Sequence, residues 1–176
     1  MNMKKMSNQH GFTLVEMLAC VLTLLLVSML CGTGISMAYN SYERSLFTSN
    51  SLTLESTLDM FVGDVMRHAT DIKTSEDGKV TAFTNTAYDI FDGNIIVPAL
   101  SEETGGYFVI YKYEGAESTL MVGQNVYGKN MYIQDFTMTY NATSHVFEGA
   151  YVIRSKKLAD VQKKCEFAFR TIAEYK

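Results

Sequence analysis

Three histidines, at 10, 68 and 145, and three cysteines, at 20, 31 and 165, are the residues that a metal centre or a nucleophile would draw on first. None stands at ligand or triad spacing: the chain has no Cys-x-x-Cys pair, no Gly-x-Ser-x-Gly elbow and no phosphate-binding loop. Gly32-Thr33-Gly34 begins like a dinucleotide fingerprint, but Met37 occupies the last glycine position and the segment lies in an apolar run. Asp89-Ile-Phe-Asp92-Gly93-Asn94 lacks the alternating carboxylates and terminal glutamate of a calcium loop, so it reads as a solvated turn. These residues argue against an enzyme and imply neither cofactor nor metal.

Two charged features remain. Glu16 opens an apolar run that reaches Tyr39 with no further charge. A carboxylate within a membrane helix costs several kcal/mol on insertion, so it normally has a partner and a task. The second feature is basic: Arg154, Lys156, Lys157, Lys163, Lys164 and Arg170 crowd one stretch, opposed there only by Asp160 and Glu166. Its plain reading is a solvated loop between the last two strands, or a contact to an acidic neighbouring subunit. Its functional reading is capture of extracellular DNA or another polyanion, because phosphate binding rewards clustered Lys and Arg.

The elements that must carry these residues follow from the pattern of apolar positions. Residues 12–39 are apolar all round, as a membrane span of about 20 residues requires. From 40 to 72 the helix turns amphipathic, with Leu54, Leu58, Phe61, Val62, Val65, Ala69 and Ile72 recurring every three or four residues and Glu55, Asp59, Asp64, Arg67 and Asp71 largely elsewhere. A helix of that length would extend roughly 90 Å. Asp64, Arg67 and Asp71 are spaced for exposed helix pairs. Gly32 and Gly34 weaken the helix by about 1 kcal/mol each, which suits either close helix packing or a hinge. Beyond Thr74 the period falls to two, with strands expected at 80–84, 107–113, 120–122, 131–140, 146–154 and 166–172. Tyr132, Phe136, Met138 and Tyr140 should share one face, as should Phe147, Tyr151 and Ile153. The segment from Asp89 to Gly106 reads as a long loop with one short strand at 95–97. The expected fold class is α+β: a long N-terminal helix packed against an antiparallel β head over 73–176.

Ahead of the helix, residues 1–11 form a short polar leader with Lys4 and Lys5 and no apolar stretch of their own. The junction reads Gly11-Phe12-Thr13-Leu14-Val15-Glu16. Together, the leader, the junction and the apolar run resemble the class III signal of type IV prepilins and type II secretion pseudopilins. That resemblance implies a pilin-like fold and cleavage after Gly11 by a prepilin peptidase, which also methylates the new N-terminus at Phe12. It implies assembly into a filament through Glu16, with Thr13 beside it. The implied partners are that peptidase/methyltransferase, other pilins or pseudopilins, the inner-membrane assembly platform and, before assembly, the bilayer; nucleic acid belongs to the polyanion reading alone. The stretch from Ser51 to Ile72, with Asp64-x-x-Arg67-x-Ala69, also resembles J-type minor pseudopilins and related minor pilins. Two other processing sites compete: a signal-peptidase site at Ser36-Met37-Ala38, whose apolar region would hold Glu16, and a lipoprotein box at Met17-Leu18-Ala19-Cys20, with its apolar part on the wrong side.

Composition is consistent with this reading. Removing residues 1–11 leaves enough chain for one membrane helix and one compact domain. The formal charge of −4 becomes more negative once Lys4 and Lys5 leave, which argues against a generally nucleic-acid-binding surface. The two leader lysines place the N-terminus in the cytoplasm and the head outside, in the cytoplasmic membrane first and then in a pilus, secretion pseudopilus or DNA-uptake (competence) pilus. Cys20 and Cys31 lie roughly 16 Å apart along a helix and cannot bridge within the chain; Cys165 is the only thiol in the exported part, which is therefore expected to hold without an internal disulfide. The expected function is that of a structural minor subunit; the alternative is a pilus-borne adhesin or DNA receptor using the basic cluster.

Overall fold

A computed structural model describes residues 13–100, 105–112, 118–128 and 130–172. It has an α+β fold of two compact units, 1–43 and 44–176, and one helix, α1 (Leu14–Arg67), begins in the first and ends in the second. Within the first unit every residue from Thr13 to Tyr42 is exposed. This part of α1 is long and apolar enough to cross a membrane.

In the second unit α1 buries one stripe, Phe47, Ser51, Leu54, Leu58, Val62, Val65 and Met66, at the three- and four-residue spacing of one helix face. Phe61, expected in that stripe, is 38% exposed instead, while Ile72 packs at the core edge. Two antiparallel sheets cover the stripe. The first has the order β1 (Thr70–Thr74), β2 (Val80–Asn85), β3 (Ile90–Ile96), β4 (Val109–Tyr111), β5 (Thr119–Leu120). A short helix, α2 (Gln124–Tyr127), leads to the second, β6 (Met131–Asn141), β7 (Val146–Ser155), β8 (Gln162–Arg170). The sheets are tied together by a bridge between Lys79 and Thr139 and by the bond from Ile133 N–H to the Gly106 carbonyl (2.7 Å). Phe83, Phe108, Tyr127, Phe147 and Tyr151 fill one core with the helix stripe.

Several boundaries differ from the sequence reading, each for a physical reason. The helix stops at Arg67 rather than 72, and residues 70–74 form β1 instead. Its last carbonyls are taken by tertiary partners: Val65 O accepts from the Asn85 side chain (2.7 Å), and Arg67 O from Ile172 N–H (2.8 Å) and the Thr171 hydroxyl (3.2 Å). Asp71 then adopts a left-handed φ of 47°, so no helical Arg67–Asp71 pair forms. Arg67 lies over the Phe169 ring (5.8 Å), and Asp64 accepts from the Tyr88 hydroxyl.

The first part of the expected loop after Asp89 is β3, which takes in residues 95 and 96 of the expected short strand, with Ile90 and Ile95 buried. Asp89, just before β3, and Asp92, within it, both take φ 53°, and at Gly93 a Cβ would clash with the Tyr111 carbonyl of β4. The turn-like Asp-Gly-Asn is therefore an irregularity inside a strand. In β6 a bulge between Gln134 and Thr137, with Asp135 at φ 58°, reverses the alternation. Met131 and Ile133 face the core before it, Met138 after it, and Tyr132 is on the opposite face from Phe136 and Met138. Phe147, Tyr151 and Ile153 share the buried face as expected. The last strand begins at Gln162, four residues before its expected start.

Candidate functional site

Gly11 and Phe12 lie outside the described residues; the site begins at Thr13. Thr13 is the N-cap of α1, since its carbonyl accepts the first helical bond from Met17 N–H (3.1 Å). Its hydroxyl oxygen accepts from Glu16 N–H (3.3 Å), while Glu16 Oε2 accepts from Thr13 N–H (2.8 Å) and from the Thr13 hydroxyl (2.9 Å). This reciprocal pattern is a capping box, and it sets a carboxylate at the positive end of the helix. Thr-x-x-Glu before an apolar run is its sequence signature; the reading of Glu16 by charge alone passed over it. Cys20, Cys31, Gly32 and Gly34 are exposed on the same helix, and a Cβ at either glycine would meet nothing within 4 Å.

The basic cluster does not form one loop. Lys163 and Lys164 belong to β8, where the pleat sends them to opposite faces. Lys163 turns toward α1 and pairs with Glu55, both about one-quarter exposed, whereas Lys164 points outward and pairs with Glu166 (2.6 Å), holding that carboxyl below its usual range. Lys156 and Lys157 remain exposed in the β7–β8 turn. The Ser155 hydroxyl accepts from the N–H groups of Lys157 (3.2 Å) and Leu158 (3.1 Å), which fixes the turn. Lys156 Nζ donates to the Tyr107 hydroxyl (3.3 Å) and lies 5.5 Å from the ring centre. At the tip, Asp160 pairs with Arg44 of α1 (2.5 Å), which lowers the Asp160 pKa.

Contacts between α1 and β8 run in step: Arg44 with Asp160 just before the strand, Glu55 with Lys163, Gly63 against Phe169, Arg67 with Ile172 just after it. Between them, Asp59 accepts from the Tyr151 hydroxyl (2.9 Å). Burial raises the Asp59 pKa, and burial beside Asp59 raises that of Tyr151. Burial, with Glu55 nearby, pushes the Cys165 thiol to about 12, so it stays protonated and inert. The sequence reading set Glu55 and Asp59 apart from the buried stripe. They adjoin Leu54 and Leu58 at its border, and the β7 and β8 side chains reach them there. Among the described residues no group of three metal-ligating side chains converges. Comparison with protein-family models, with characterised proteins and with solved structures found no match to this chain.

Proposed function

We propose that the chain is a pilin-like structural subunit, not an enzyme. It would be cleaved after Gly11, held in the cytoplasmic membrane by the apolar part of α1, and then assembled through that same surface into a pilus, pseudopilus or DNA-uptake filament. One observation carries the reading: a helix apolar from Leu14 onward is exposed on every side through Tyr42, and its only charge before that point is Glu16 at the capped start. Such a surface requires lipid or other helices, and in either surrounding Glu16 gains from a cationic partner. The free amine of a neighbouring subunit's Phe12 would supply one.

The capping box gives Glu16 a second role, and substitution separates the two. Glu16→Gln keeps a capping side chain but removes the charge, whereas Thr13→Ala breaks the box and keeps the charge. Membrane and sheared-filament fractions are compared for both variants in cells that carry the assembly machinery. The expected result is that Glu16→Gln inserts, is cleaved, and fails to enter filaments, while Thr13→Ala enters at reduced yield. Normal incorporation of Glu16→Gln alongside failure of Thr13→Ala would reduce Glu16 to a helix cap and remove the assembly role.

A further inference from the structure

Arg154 is the member of the basic cluster that the fold leaves without an acceptor. It lies on β7 between buried Ile153 and Ser155, so its side chain belongs to the outer face of the second sheet, away from the core. Its Nε is buried without a hydrogen-bond partner, and among the described residues no ion pair engages the guanidinium. The residues directly across from it, Tyr132 of β6 and Gln162 of β8, carry no charge. Asp160 and Glu166, the acids two positions to either side of Gln162 and Lys164, are held by Arg44 and Lys164. A planar guanidinium in that position favours an acceptor that offers two parallel oxygens.

Beside Tyr132 the protein opens into a cavity of about 370 Å³, whose lining includes Val97, Pro98, Leu100, Tyr132, Gln134 and Asp135. One wall is the 97–100 segment, tied to β6 through Gly106. Gly106 N–H donates to the Pro98 carbonyl (3.1 Å), and the Gly106 carbonyl accepts from Ile133 N–H (2.7 Å). A Cβ at Gly106 (φ 76°) would stand 2.8 Å from that of Tyr132, so bare backbone is what lets this wall close against the tyrosine. Leu100 edges the cavity and is 54% exposed. The space holds one aliphatic side chain, and Asp135 in its lining repels an acidic one.

We infer that this face binds an extended acidic peptide of a partner protein, with an aliphatic side chain in the cavity and the carboxylate two positions along paired with Arg154. Positions two apart in an extended chain lie about 7 Å from each other on one side, which suits a step from the cavity past Tyr132 to the next strand. A phosphate polymer fits less well, because it rewards a row of cations. Lys163 and Lys164 are paired, Lys156 is held over the Tyr107 ring, and Arg170 stands at the other end of β8. The site lies wholly in the second unit and does not depend on the membrane or filament reading.

The test uses the full chain in a zwitterionic detergent with isotope-labelled arginine, and the probe is the end-blocked peptide Ser-Leu-Ser-Glu-Ser. The Arg154 Nε–H resonance, assigned by its loss in Arg154→Lys, should shift and saturate as the peptide is added. Replacing the peptide's Glu by Gln should weaken binding about tenfold, and replacing its Leu by Gly about fivefold. Arg154→Lys keeps the charge and loses the fork, and Leu100→Ser trims the cavity without touching Arg154. Each should weaken binding of the fluorescently labelled peptide while the thermal melt stays that of the parent. Equal affinity for the Glu and Gln peptides, or no saturable shift at all, would overturn the inference. A shift by acetate as large as the peptide's at equal concentration would overturn the peptide and leave a simple anion contact. Tighter binding of oligothymidylate would overturn it in favour of a polyanion.

Discussion

Asp59 shows how a single half-buried carboxyl makes the head lose stability as pH rises through the acidic range. Its pKa is raised chiefly by burial, against the opposing hydrogen bond from Tyr151, with Glu55 raising it further and Lys163 lowering it. A group whose folded pKa exceeds its unfolded value binds protons more readily when folded, so its stabilising contribution is fully present below the unfolded pKa. It is lost as pH rises through the folded value. Thermal melts of the detergent-solubilised chain should therefore lose stability between the ordinary aspartate range and the raised value. Asp59→Asn keeps an acceptor for the Tyr151 hydroxyl and should flatten that part of the profile. Identical slopes for both proteins would show that Asp59 titrates normally. Sequence could not supply this residue, because a helix pattern fixes which positions face inward on average but not which border positions a neighbouring strand will cover. Glu16 is the opposite case: both its isolation among apolar residues and its Thr-x-x-Glu cap are written in the chain, and only the first was read.

At the scale of elements, the two kinds of glycine in α1 make opposite predictions. A Cβ at Gly63 would stand 2.8 Å from the Phe169 ring, so Gly63→Ala should cost about 1–3 kcal/mol through displaced packing between α1 and β8. At Gly32 a Cβ meets nothing, so Gly32→Ala should gain up to about 1 kcal/mol of helix propensity in the isolated chain. Chemical denaturation in detergent measures the first and helical content measures the second. If Gly32→Ala is helical and stable yet absent from filaments, that glycine serves close packing between subunits. The amphipathic stripe of α1 and most strand positions were legible because each depends on a local period. The helix end, the parity of β6 and the extent of β3 were not. Arg67's carbonyl is capped by Thr171 and Ile172, residues a hundred positions away. Asp135 and Gly93 act through a bulge and a close backbone approach that any turn-rich sequence could also produce.

For the whole molecule, the question is where the stability resides. Among the described residues, the buried apolar side chains, from Phe47 to Phe167, all fall in the second unit. On the proposed reading, the apolar part of α1 serves its surroundings, lipid or other helices, rather than the core of the head. A chain beginning at Arg44 retains the Arg44–Asp160 and Glu55–Lys163 pairs, the helix stripe and both sheets. It should be soluble and monomeric and melt within about 5 °C of the head transition of the full-length protein in detergent, because the core it keeps is the same. Removing residues 171–176 from that shorter chain should lower its stability by about 1–3 kcal/mol, since the carbonyls of Arg67 and Ala69 would lose the donors that Thr171 and Ile172 supply. Circular dichroism melts of both chains decide the matter. A short chain that aggregates, or melts far below the full-length protein, would mean that the segment before Arg44 supports the head directly, and the division of labour between anchor and head would have to be abandoned.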